Sequence, residues 1–397
     1  MVVKGGRVVT PTGIKIADIR VKDGKIAEIS DSIEPKSERV VDARGKYVLP
    51  AMVDIGVRVL DERLRGGTLC RLSENGRRNG FGTLVISSLS TPRIDNEITL
   101  EFVKSQAELC GDTKILPLLS GVKESGGLSD CSILLSEGTV GIEFDSHIDG
   151  NMIRRLMEYA SMHGVKLFCH ADDPALHGDG VMHEGSVSGR LGLAGVVAVA
   201  ESSQVARIGE LAEFYGVDVV ILGASTPQTL RICSKNRHLH PQLSIHHALL
   251  NDTSCDNYDT AGKVWPPLRE EGMRKEMLEA IAEGDVKMLT SLHTPVSDTA
   301  KDAVFAEAAY GIDGLENFLP LLYTYLVKEG FVDFVNLVQM VAANPAEAVG
   351  LKDKKGSIVA GLDADLILFD PDFSYVCEDE SSPYRGKEIS GRVEKIS

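Results

Sequence analysis

The sequence predicts an α/β fold: a (β/α)8 TIM barrel with a small composite β domain contributed by both termini. Three observations carry this reading. Residues 1 to about 50 form short alternating or β-branched runs separated by turn residues. From about residue 51, continuous apolar runs alternate with longer stretches of helical period. After Gly350 the patterning returns to β-like.

Taken in order, Val2-Val3, Arg7-Val8-Val9, Ile14 to Val21 and Lys25 to Ile29 have strand character. Gly5-Gly6, Asp23-Gly24 and Pro35 punctuate them, as antiparallel hairpins require. Candidate barrel strands follow at Met52 to Val59, Gly82 to Ser88, Lys114 to Leu119, Val140 to Phe144, Val165 to His170, Val217 to Leu222, Leu243 to His247 and Val286 to Ser291. They are predominantly apolar, as expected of a parallel barrel sheet covered on both faces. Asn151 to His163, Gly195 to Tyr215 and Met273 to Glu283 carry apolar residues at helical spacing and supply crossovers. Helices near Leu315 to Val327 and Val332 to Val349 lead out of the barrel, and Gly356 to Ile358 and Asp363 to Asp370 are again β-like. The expected organisation is a composite β domain from residues 1–50 and 350–397, with the barrel, 51–349, inserted between. The acidic run Glu378-Asp379-Glu380 reads as a solvated loop.

With 397 residues, 43% of them hydrophobic and 25% charged, the chain can bury a large core without covalent staples. Lys+Arg 42 against Asp+Glu 58 gives a formal charge of −16, which repels phosphate backbones and argues against nucleic-acid or anionic-membrane partners. No run approaches the roughly 18 apolar residues of a membrane span, and the start, MVVKGGRVVTPTG, lacks signal-peptide features, so a cytoplasmic location is expected. The seven cysteines include no Cys-x-x-Cys pair, and all are expected to be reduced and mostly buried. No phosphate-cradling loop, dinucleotide fingerprint or Gly-x-Ser-x-Gly stands in a strand-turn-helix context.

Several segments carry a family resemblance: Phe168-Cys169-His170-Ala171-Asp172-Asp173-Pro174, Arg190 to Gly195, Ala200-Glu201-Ser202, His246-His247, Lys263 to Arg269, Gly311 to Glu316, and Gly356 through Gly361-Leu362-Asp363-Ala364-Asp365-Leu366. Their order and spacing resemble the dihydroorotase family of the cyclic amidohydrolase superfamily over nearly the whole chain. The resemblance implies an amidohydrolase-type barrel in which metal-bound hydroxide attacks a cyclic amide, with ligands at the C-terminal ends of the strands.

The first strand of the family ends in Asp-x-His-x-His; here it reads Asp54-Ile55-Gly56-Val57-Arg58, so Gly56 and Arg58 replace the two imidazoles. Arginine stays protonated and cannot ligate zinc. The carboxylate slot after strand 4 falls nearest Asp145, and the histidine after strand 5 survives as His170. The histidine after strand 6 is Gly223, and the aspartate that would act as base after strand 8 is Leu292. At substrate-binding slots, the carboxylate-clamping arginine aligns with Leu60, one asparagine with Leu89 and another with Trp265, the sole tryptophan.

His170 is accordingly read as a hydrogen-bonded remnant. His246 and His247, as neighbours on a strand, point to opposite faces and serve packing and hydrogen bonding. A Cys169–His170 dyad is not expected, for the same reason. His177 and His183 flank a glycine-rich loop and read as surface residues. Arg58 is expected either to pair with Asp145 and Asp173 where the cation would sit, or to point across the barrel mouth to another partner. Trp265, Leu60, Leu89 and Leu292 are expected to fill the substrate cavity with apolar bulk.

The resemblance thus implies a catalytically inactive dihydroorotase homologue of pyrimidine biosynthesis, with no cofactor expected. Its expected role is a structural subunit supporting aspartate transcarbamoylase, in a hetero-oligomer (six plus six chains by the family analogy) or a homo-oligomer. The alternative is a divergent cyclic amidohydrolase, dihydroorotase or hydantoinase-like, with a relocated or mononuclear zinc site. A small-molecule sensor is the third reading.

Overall fold

The computed structural model describes residues 1–111 and 113–396. Strands Val2–Thr10, Gly13–Lys22 and Lys25–Ser30 form an antiparallel meander. Asp23 and Gly24 both adopt positive φ, +50° and +72°, the two-residue turn whose twist matches that of the strands it joins. Tyr47–Pro50 pairs parallel to the first strand on one side and antiparallel to Leu366–Val376 on the other. Glu388–Lys395 closes the series against Leu366–Val376. One sheet is therefore assembled from both ends of the chain. Val3, Val8, Ile19, Ile26, Leu366 and Leu368 form a core of its own.

The barrel strands are β1 (Met52–Val57), β2 (Phe81–Ile86), β3 (Lys114–Pro117), β4 (Ile142–Asp145), β5 (Leu167–His170), β6 (Val219–Ala224), β7 (Leu239–Ser244) and β8 (Met288–Thr290). Each pairs parallel to its neighbour in two arcs, β1 to β3 and then Leu119–Ser120 with β4 to β8. Backbone bonds from Leu118 N to Ile86 O (3.1 Å) and from Leu119 N to Gly141 O (3.0 Å) bring the arcs together on one side. On the other, Asp54 of β1 joins β8. Its buried carboxylate accepts from Thr290 Oγ1 (2.7 Å), Ser291 N (3.1 Å) and the Ser291 hydroxyl. Val53, Ile55, Val85, Phe168, Val220 and Met288 fill the interior between the arcs.

Outer helices α1 (Gly66–Arg78), α2 (Glu97–Cys110), α3 (Gly150–His163) and α4 (Val199–Tyr215) cover the sheet, with α5 (Ile245–Leu249) and α6 (Glu271–Glu283) following β7. Apolar faces such as Ile153, Leu156, Met157 and Ala160 of α3 are buried, and glycine caps in the left-handed conformation end α2, α3, α4 and α6. No described helix is long and apolar enough to cross a membrane.

The seventh strand is Leu239–Ser244, not Leu243 to His247; Pro241 disguised it, and the Ser244 hydroxyl accepts from His246 N (3.0 Å) to start α5. His246 and His247 therefore sit on a short helix. The expectation of reduced cysteines fails for one pair: Cys70 of α1 and Cys110 of α2 form a disulfide. They are 40 residues apart in sequence, yet adjacent outer helices bring their Cα atoms to 4.9 Å. Cys131, Cys169, Cys233, Cys255 and Cys377 are free and buried.

Candidate functional site

The C-terminal ends of the barrel strands surround a cavity of about 260 Å³. Gly56, Arg58, His170, Gly223, Trp265 and Leu292, which the sequence singled out, all line it. Leu60 instead lines a separate acidic groove and Leu89 a small neighbouring cleft, so the expected four-residue apolar filling does not form. The cavity stays open.

At its floor, His170 Nε2 lies 2.7 Å from Glu143 Oε1. Glu143 is fully buried on β4 and also accepts from Ser87 Oγ (2.8 Å), Ser88 Oγ (2.6 Å) and Ser88 N. Burial alone would push this carboxyl up, but the His170 imidazole and the Ser88 donors hold it below the usual carboxylate range. A carboxylate so placed fixes the orientation of the His170 ring, whose side chain is a quarter exposed. Sequence reasoning missed Glu143 and chose Asp145, two residues on. The available signal was a lone acid inside an apolar strand, which requires a buried partner. Asp145 pairs in register with His170 across β4 and β5 but is not among the residues lining the cavity.

Both glycine slots are covered by leucines. Gly56 has φ +82°, and a side chain there would meet Leu222 Cδ2 at 3.4 Å. Gly223 has φ +64°, and a side chain there would meet Leu292 Cδ1 at 3.3 Å and Pro266 Cδ at 3.5 Å. Each lies at a break in strand register, between Ile55 and Val57 and between Ile221 and Ala224. Leu292 itself takes φ +48°, unusual for a branched apolar residue, and so turns toward Gly223. Leu222 escaped the sequence reading because it lies one position before the aligned slot.

Arg58 does not reach Asp145 or Asp173. It pairs with Glu62, four residues on, and its backbone N–H donates to His293 O (2.8 Å). Asp173 instead caps the turn at Ala175 N (3.0 Å) and accepts from Gln204 Nε2 (3.0 Å). Local geometry explains the difference: Glu62 is within reach on the same loop, while Asp173 is already engaged by its own helix start.

The wall opposite is aromatic. Trp265 packs edge-on against His177 (centroids 5.1 Å apart) and Tyr310 (5.2 Å). His177 Nε2 pairs with Asp172 Oδ2 at 3.0 Å. Burial lifts the Asp172 carboxyl, and His177 opposes that rise. His183, expected at the surface, is 3% exposed because Met182–His183 forms a short strand against Gly195–Val196; burial pushes its imidazole down to about 4. His246 and His247 are buried too, with His246 between Tyr384 OH (2.9 Å) and Ser291 O (2.9 Å) and His247 Nε2 donating to Pro266 O (3.0 Å). This is the packing and hydrogen-bonding role expected of them, reached through a helix rather than opposite strand faces.

A divalent metal needs several neutral or anionic donors converging on one point. Here two slots lack side chains and are roofed by leucine, a third holds a guanidinium, and His170 is engaged by Glu143. Among the described residues, no three His, Cys, Asp or Glu side chains are arranged to hold a metal ion. The residues present do not fit the family's metal centre.

A sequence profile of the amidohydrolase family matches residues 133–388. The chain belongs to the amidohydrolase family. Within that family it is dihydroorotase-like. It is 31% identical to a dihydroorotase of Pelotomaculum thermopropionicum across 98% of this chain and 95% of that protein. To a dihydroorotase of a Thermoanaerobacter species it is 30% identical, across 99% and 95%. Its amidohydrolase-type barrel and extra β domain also match solved structures. A dihydropyrimidinase from Brevibacillus agri superposes with TM-score 0.87 at 19% identity, covering 100% of this chain and 93% of that one. A D-hydantoinase gives 0.85 at 22%, covering 100% and 94%.

Proposed function

We propose that this amidohydrolase-family chain is a non-catalytic dihydroorotase homologue of pyrimidine biosynthesis that serves as a structural subunit for aspartate transcarbamoylase. The observation that carries the first half is the pair of glycines roofed by Leu222 and Leu292, beside an arginine held by Glu62. Hydrolysis of a cyclic amide needs an activated water and a general base. In this pocket the base slot is a leucine, and the imidazole that remains is tied to a buried carboxylate. The transcarbamoylase partner is supported by the dihydroorotase resemblance, because a dihydroorotase homologue and that enzyme would belong to one biosynthetic sequence.

The test has two arms. Purified protein is analysed for zinc and assayed for dihydroorotate turnover in both directions; substoichiometric metal and no turnover are expected. Tagged protein expressed in the source organism is expected to co-purify with aspartate transcarbamoylase in a hetero-oligomer. Recovery without that enzyme would sink the partner assignment alone.

A second reading has its own support. The cavity remains open at about 260 Å³ and keeps His170 oriented by Glu143, as a divergent cyclic amidohydrolase with a relocated or mononuclear zinc would need. Stoichiometric zinc together with turnover of dihydroorotate or a hydantoin would establish it and refute the first.

A further inference from the structure

The Cys70–Cys110 bridge joins the outer faces of α1 and α2, away from the cavity lining. Cys70 is exposed and Cys110 half-buried, whereas the five free cysteines are buried. α1 is also anchored without it, to the chain that leaves α2, to the sheet beneath and to α2 itself. Ser73 Oγ donates to Thr113 O (3.2 Å) and accepts from Thr113 N (2.9 Å). Gly76 of α1 lies so close to the next layer that a side chain there would meet Leu84 Cδ1 at 2.7 Å and Thr113 Oγ1 at 3.1 Å. Gly66 is packed against the Gln106 amide of α2. Contacts other than the sulfur–sulfur bond thus also hold α1 against the sheet, against the chain after α2 and against α2.

From this we infer that Cys70 and Cys110 form a reversible thiol–disulfide latch on the barrel exterior, opened and closed by dithiol exchange while the fold stays intact. This inference rests on the helix pair alone and not on the function proposed above. A thiolate of a Cys-x-x-Cys-type dithiol attacks one sulfur, giving a mixed disulfide and releasing the other cysteine as thiolate. The reductant's second thiol then resolves the mixed disulfide. Two electrons and two protons pass to the chain, which ends with two thiols, and the reductant ends as a disulfide. Selectivity follows from burial. The thiols of Cys233 and Cys255 are pushed up to about 12 and that of Cys131 to about 11, so they are neither accessible nor ionised at neutral pH.

The opened latch changes how firmly the C-terminal turn of α2 is held, because Cys110 is its last residue and Gly111 follows in the left-handed conformation at φ +69°. The test is native alkylation with iodoacetamide, followed by peptide mass mapping. Without reductant, no label is expected. After dithiothreitol, two labels per chain are expected, at Cys70 and Cys110, with unchanged circular dichroism and with amide exchange faster only across α1 and α2. Glutathione disulfide is expected to restore the unlabelled state. The variant Cys70→Ser supplies a control, labelled once at Cys110 without reductant. Labelling that proceeds only as the whole protein unfolds, or that reaches the buried cysteines at the same rate, would overturn the inference and leave a permanent brace.

Discussion

Replacing Glu143 with alanine probes the most committed group in the barrel. The side chain is fully buried and accepts from Ser87 Oγ, Ser88 N, Ser88 Oγ and His170 Nε2, all between 2.5 and 2.8 Å. Removal leaves three serine donors with no acceptor and one imidazole without its carboxylate. Deleting one member of a buried charge-assisted network costs about 3–5 kcal/mol. Glu143→Gln keeps the volume and one acceptor oxygen but turns an amide N–H₂ toward another donor, so about 1–3 kcal/mol is expected. Urea unfolding followed by circular dichroism reads both as shifts in midpoint at constant slope. The pH dependence has a definite sign. The folded carboxyl lies below its ordinary value of 4.5, so its contribution is complete above the unfolded value and is lost as pH falls through the lower folded one. The gap between wild type and Glu143→Gln should therefore hold from pH 8 to 5 and shrink only below. An alanine variant within about 1 kcal/mol of wild type would refute the reasoning, as would a gap that closes above pH 6.

Three further outcomes follow from the same structure. Gly223→Ala forces a side chain into φ +64° and against Leu292 Cδ1 at 3.3 Å, and should cost about 1–2 kcal/mol in the urea midpoint; Gly223→Ala combined with Leu292→Ala should recover only the steric part. His183, His246 and His247 are held down to about 4, 3 and 3, so the unfolded chain gains protons first. Stability should fall as pH drops below 6.5, by up to about 1.4 kcal/mol per pH unit for each histidine, and a midpoint series on His246→Gln should show a shallower acid limb. Cys70→Ser opens a loop of 40 residues and should lower stability by at most about 4 kcal/mol on the chain-entropy argument, measured against oxidised wild type without reductant.

What the sequence made legible was whatever depends on local pattern. Barrel strands such as β2 and β6 are buried at every position, so their apolar runs stand out. The Asp23-Gly24 turn announces itself by residue type. The glycine, arginine and leucine slots of the site were also readable, because position along a strand fixes which residues meet at the mouth. What was hidden depends on contacts distant in the chain. Glu143 matters through Ser87, Ser88 and His170 on neighbouring strands; Arg58 turns to Glu62 because a loop places it nearer than Asp173; and two cysteines on separate helices meet only once the barrel has wound them side by side. Pro241 concealed β7 because a proline inside a strand counts locally against it, although the parallel ladder tolerates it there.

The sheet made from both chain ends has a consequence for biosynthesis. Tyr47–Pro50 leaves the ribosome early, but its partner Leu366–Val376 follows only after roughly 300 further residues. At about 5–20 residues per second, the interval is on the order of 15–60 s. Throughout it, the nascent chain carries a strand with an open edge beside an unfinished barrel, a template for wrong pairing with other chains. Truncations that remove the last two strands should leave that edge permanently bare, so this protein tolerates shortening at its C-terminus far less well than a chain whose final residues merely decorate the surface.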